Sequence, residues 1–328
     1  MHVTALSTVP PADPRFSRCA PERVAELIGM LADAGLTVTS PNISTTHPLA
    51  RLVTRVAAIY EYERSNAYTA SQLAEFSSLA DEGPVVFQIG NGPLRNVDGE
   101  NLQAPGMEVK LPVAADAYRR RYSSISALSQ QGLDVDSSVP PVIGAAEAVL
   151  RPAGEIERMQ RAHATVGHIA AELALGEAPE TDDVVAVDRA LLTVREKQFL
   201  QDVGSLLVPG RKFEMSEALQ ERAWLHLESV AAAEALAWAI GNAEVPEGRL
   251  RAISCEPVAW MMGAPATGNA VVRSLEDILD AFDLNHLVHH SAPDWVGSEG
   301  ARMAAGWNRA LGWALWPKGE WGQSERVI

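Results

Sequence analysis

"SEALQERAWLHLESVAAAEALAWAIG", residues 216–241, decides how the second half of the chain folds. It is rich in alanine and leucine, the residues that lose least on entering a helix. Leu227, Val230, Ala231, Glu234 and Trp238 recur at spacings of three and four, so they share one helical face. Ser216 stands in front as an N-cap and Gly241 closes the stretch. Working outward, the same pattern recurs in "GEIERMQRAHATVGHIAAELALG", "TVREKQFLQDVGSLL", "SLEDILDAFDLNHLVHH" and "EGARMAAGWNRALGWALW". Thr193 three residues before Glu196, and Ser274 three before Asp277, repeat the capping signal. The spacing predicts a helical domain over 151–328.

The first part is patterned differently. Residues 1–20, with "VPPADPR" at 9–15, read as an irregular lead-in. "APERVAELIGMLADAG" predicts a helix ending at Gly35, and "LTVTS" a strand. "HPLARLVTRVAAIYEYERS" places Leu49, Leu52, Val53, Val56 and Ile59 or Tyr60 on one helical face. "GPVVFQIGNG" and "MEVKLPV" are candidate strands, and a helix follows over about 116–128. A small α+β domain over 21–130 is the expectation. "QQGLDVDSSVPPVIG" at 130–144 marks 131–150 as a linker or long loop. The fold class is therefore α+β, predominantly α-helical.

The stretch from about 154 to 328 resembles the bacterial family catalogued as domain of unknown function 4272. The residues that carry the resemblance are "EIERMQRAHATVGHIAAEL", "LLTVREKQFL", "EALAWAIG", "RSLEDILDAFDLNHLVHH" and "WNRALGWAL", in that order. The resemblance implies a helical C-terminal domain and no particular activity.

Composition narrows the function classes. The chain is 47% hydrophobic and 21% charged, with a formal net charge of −15. That charge repels a phosphate backbone, and the Lys and Arg residues are scattered except at Arg119, Arg120 and Arg121, so nucleic acid is not an expected partner. Cys19 and Cys255 build neither a disulfide framework nor a zinc ribbon, which fits a reducing, cytoplasmic setting. With no basic and apolar leader, and no uninterrupted apolar run of about 18 residues, neither export nor a membrane span is expected. The sequence has no Gly-rich phosphate loop beyond the turn-like "IGNGPLRN" and no Gly-x-Ser-x-Gly elbow. No cofactor is expected.

"HLVHH", residues 286–290, is the strongest polar constellation. On a helix from 274, His286, His289 and His290 continue the stripe of Leu275, Ile278, Leu279 and Phe282, which makes partly buried, structural imidazoles the favoured reading. The alternative has His286 and His290, at i and i+4, ligating a divalent cation with Asp294. Glu234, flanked by alanines on an apolar face, is a candidate acid or base, with His286 its candidate catalytic partner. His163 and His168 lie off any common face. All eight tryptophans follow residue 220 and are read as core, with Trp316 and Trp321 expected to be exposed and to serve as partner-binding candidates. The favoured function is a non-catalytic cytoplasmic interaction or accessory protein that neutralises or scaffolds a basic partner. The alternative is a metal-assisted hydrolase built on His286, His290 and Glu234.

Overall fold

A computed structural model describes residues 2–9, 48–63, 73, 76, 79–80, 83–104, 113–130, 132–208, 210, 213–243, 271–291, 297–316 and 321. The expected helix ending at Gly35, the strand "LTVTS", most of "MEVKLPV" and both cysteines lie outside them. The fold is α+β and mostly helical: a small antiparallel sheet near the N-terminus is followed by helices. The chain divides into two compact units. One comprises 1–122, 141–148 and 326–328; the other comprises 123–140 and 149–325.

In the first unit, strands β1 (His2–Ser7), β2 (Ala58–Glu63), β3 (Val85–Ile89) and β4 (Leu94–Arg95) are ordered β2-β1-β3-β4, all antiparallel. Residues 2–7, expected to be irregular, thus form an interior strand. Val3, Ala5, Val85 and Phe87 share one face and pack with Leu73, Tyr60, Tyr62 and Phe76. Helix α1 (Pro48–Arg55) stops where a longer helix was expected. The cause lies in "AIYEYE": Ile and Tyr suit a pleated surface, and this segment has β1 as a partner, pairing Ala5 with Tyr60 and Val3 with Tyr62. The Ala57 N–H donates to the Ser7 carbonyl at 2.8 Å, starting the ladder just beyond the helix. The "IGNG" glycines make the β3–β4 turn, with Gly90 at φ +55°.

Helix α2 (Ala115–Gln130) runs across the division between the units, which falls after Tyr122. Beyond it, 132–152 contains no helix or strand, yet it buries Val139, Val142 and Ile143. Within the first unit, the Ala145 N–H donates to Asp116 at 2.8 Å and Arg55 pairs with Glu147. Within the second, the Asp136 N–H donates to the Ser291 hydroxyl at 3.1 Å.

The second unit contains α3 (Ala153–Leu175), α4 (Thr181–Ala186), a 3-10 turn (Arg189–Leu191), α5 (Val194–Leu206), α6 (Glu217–His226), α7 (Glu228–Ala239), α8 (Leu275–Ser291) and α9 (Gly297–Leu315). Residues 216–241 therefore form two helices meeting at Leu227. α7 is central, packed against α3 on one side and α9 on another, which is why it is buried almost all round and rich in alanine. The approach is closest at two glycines. A Cβ at Gly167 of α3 would stand 2.9 Å from the Val230 backbone nitrogen, and one at Gly306 of α9 would stand 2.6 Å from the Glu228 carbonyl oxygen. Three caps form as the sequence predicts. Ser216 accepts from the Leu219 N–H, Ser274 accepts from the Asp277 N–H, and Thr193 with Glu196 makes a reciprocal capping box.

Candidate functional site

The "HLVHH" histidines lie on the last turns of α8 in graded environments: His286 is buried, His289 half-buried and His290 exposed. The exposure of His290 departs from the expected burial of all three; it lies at the helix end, past the reach of the stripe. His286 Nδ1 is 3.3 Å from Asn308 Oδ1 on α9, and its ring stands 4.2 Å from that of His290 and 6.0 Å from that of Phe282. Leu287 and Val288 are buried as well, packed with Leu128, Val139 and Ala304, so this segment is covered on two sides. Next to it, the fully buried Asp283 accepts a 2.8 Å hydrogen bond from the Ser124 hydroxyl. Among the described residues no group of three or more His, Cys, Asp or Glu assembles as a metal centre needs, and Asp294 lies outside them. Glu234 is half-buried on α7.

The structure gathers a polar cluster that sequence reasoning did not. His163, in the middle of α3, is completely buried, and its Nδ1 lies 3.4 Å from Oε1 of the buried Glu196 at the start of α5. Burial lowers the His163 pKa to about 4, with Arg309 and His226 adding to that effect and Glu196 opposing it, so the ring is neutral at pH 7. Burial alone raises the Glu196 pKa, but His163, the hydrogen bonds from the Thr193 N–H and hydroxyl, and Arg309 hold it below its ordinary value. Arg309 is itself anchored to Glu228 at 2.6 Å, and His226 stacks on Phe199 with ring centroids 4.3 Å apart. The sequence carries a signal for one member only: Glu196, Phe199, Leu200 and Val203 follow one helical stripe, so a carboxylate continues an apolar face, but nothing in the spacing names its partner. The pair has the composition of a proton-transfer dyad and a burial that closes it to solvent.

Trp321 stacks on His163, with centroids 3.9 Å apart, and meets Trp313 edge-on at 5.7 Å. It is only 8% exposed, which corrects the expectation that it is an exposed anchor; a neutral imidazole gives an indole a face to cover. Trp316 is half-buried, and its carbonyl accepts from Arg151 at 3.2 Å. Beside this aromatic layer lies a pocket of about 360 Å³ lined by Arg151, Arg158, Lys197, Leu192, Trp313 and Trp321, among others.

A second feature lies at the C-terminal end of α3. Gly176, at φ +88°, turns the chain out of the helix, and the Glu177 N–H donates to the Glu172 carbonyl at 2.8 Å. Glu172, Glu177, Glu180 and Asp183 come together there. Burial first, then repulsion from Asp183, Glu177 and Glu180, raises the Glu172 pKa against the pull of His168. Leu175 and Val185, in the same stretch, are 68% and 73% exposed. No described helix is long and apolar enough to cross a membrane.

No curated protein and no solved structure matches this chain. The family match starts earlier than the resemblance read from the helices, and takes in the second half of α2 and the irregular stretch that buries Val139. Residues 120–323, more than half of the chain, match the model described as Domain of unknown function (DUF4272), and the chain belongs to that family.

Proposed function

We propose that this protein is a non-catalytic, cytoplasmic interaction or accessory protein that takes a basic partner at the α3–α4 turn. One observation carries the reading: the last turn of α3 has no basic residue, and four carboxylates gather around it. The C-terminal end of a helix is its negative pole, where cations are stabilising and anions are not. Glu172 and Glu177 stand at that negative pole and are repelled by Glu180 and Asp183 at the start of α4, a repulsion relieved when a partner brings Lys or Arg side chains. The exposed Leu175 and Val185 supply apolar surface beside that charge, so the matching partner is a basic segment with interspersed apolar residues. The net charge of −15 adds long-range attraction for such a segment.

Equilibrium binding of an amphipathic Lys/Leu helical peptide tests this. Glu177→Lys, Glu180→Lys and Asp183→Lys together should weaken binding by at least tenfold. Glu63→Lys, Glu214→Lys and Glu276→Lys together change the net charge equally, at exposed positions outside this turn, and should weaken it far less. Equal loss in both variants would reduce the effect to overall charge and defeat the assignment of this surface.

A further inference from the structure

The geometry points to a second site, independent of the acidic turn: the pocket beside Trp313 and Trp321 binds a small organic anion, an oxyanion head group carrying an apolar body. At about 360 Å³ it has the size of a metabolite site rather than a packing defect. Its walls divide by chemistry. Met159, Leu191, Leu192, Trp313 and Trp321 give an apolar side, while Arg151, Arg158 and Lys197 oppose Glu155, the one carboxylate among the described lining residues.

Arg151 is already committed. It donates to the Trp313 carbonyl at 2.8 Å, the Trp316 carbonyl at 3.2 Å and Glu155 at 3.2 Å, and it lies 4.1 Å from the centre of the Trp313 ring. It therefore neutralises Glu155 and fixes the wall. Arg158 and Lys197 remain as surplus positive charge, and among the described residues neither side chain makes an ion pair or hydrogen bond.

One further feature favours an anion. The pocket draws lining residues from the first turn of α3 and from the start of α5, so the positive poles of two helices lie at its edge. In a chain of net charge −15 the general field repels anions, so saturable uptake of one reports a local site.

Carboxylate and phosphate heads share this chemistry, and calorimetric titration of the full chain at low salt separates them, using benzoate, phenyl phosphate, inorganic phosphate and neutral benzyl alcohol. At least one of the two aromatic anions should bind saturably at one site, whereas benzyl alcohol should not. Arg158→Gln and Lys197→Gln should each weaken that binding by about tenfold with unchanged thermal unfolding. Arg119→Gln, an exposed position in the other unit, should leave it as it was. Absence of saturable binding by both aromatic anions, equal binding of benzyl alcohol, or an equal loss in R119Q would each overturn the site. If inorganic phosphate alone binds as tightly as phenyl phosphate, the apolar wall has no part in recognition and the organic anion is wrong.

Discussion

At the scale of single residues, the most consequential feature is a histidine kept neutral by its surroundings. The folded pKa of His163, about 4, lies below its ordinary value of 6.5, so as pH falls the unfolded chain takes up this proton first. The stability contributed by neutral His163 is complete above 6.5 and is lost progressively between about 6.5 and about 4. Glu196 acts in the same direction, because its folded pKa is depressed and its contribution disappears as pH falls through that value. Urea denaturation across this window should therefore show falling stability. His163→Gln should remove a part of that slope on the order of 3 kcal/mol, leaving the part due to His226, whose pKa burial also lowers. An unchanged slope in H163Q would contradict the assignment. A second expectation concerns the "HLVHH" stretch: His286→Ala leaves Asn308 without its 3.3 Å partner and should cost about 1–3 kcal/mol, whereas alanine at the exposed His290 should cost less than about 0.5 kcal/mol. The sequence made His286 legible because its position on an apolar stripe can be read from spacing. It left the His163–Glu196 pair illegible because the two residues lie on different helices, and only packing brings them together.

At the scale of elements, small residues set how closely the helices approach. Gly306 lets α9 reach the Glu228 carbonyl and the Ala231 side chain, at separations of 2.6 and 2.7 Å for an added Cβ. Gly306→Ala should destabilise the protein by about 1–3 kcal/mol, since the nearest atom is backbone and has little room to yield. Gly154→Ala, where a Cβ on α3 meets nothing within 4 Å, should be neutral or stabilising by up to about 1 kcal/mol. Chemical denaturation of both variants checks the contrast. The long helices of the second unit are readable from their period, and α5, α6 and α8 also from the Thr193, Ser216 and Ser274 caps in front of them. α4 and the 3-10 turn are not, being too short to show a period. Residues 58–63 were misread as helix because the spacing of Leu49, Leu52, Val53 and Val56 continues by chance into Ile59 and Tyr60; pairing with β1 decides the matter, and no local pattern reports it.

At the scale of the whole molecule, the division into units does not follow the irregular stretch alone. Leu128 and Val139 belong to the second unit, where they pack with Leu287 and Val288, so residues before 150 help to complete the helical core. Leu128→Ala should accordingly destabilise that unit by about 2–5 kcal/mol, read as earlier loss of helical circular dichroism in urea. The family match begins at 120, just ahead of these residues. Charge is the other property of the whole chain: a net −15 accelerates encounter with a cationic partner, and the acidic turn after α3 is the proposed place of docking. The most direct measurement of that claim is the association rate of the Lys/Leu peptide by stopped flow at rising ionic strength. The account predicts a rate that falls steeply with salt in the wild type and in the variant reversed at Glu63, Glu214 and Glu276, and a slower, less salt-dependent rate once Glu177, Glu180 and Asp183 are reversed. A rate insensitive to salt in the wild type, or to reversal of those three residues, would contradict it.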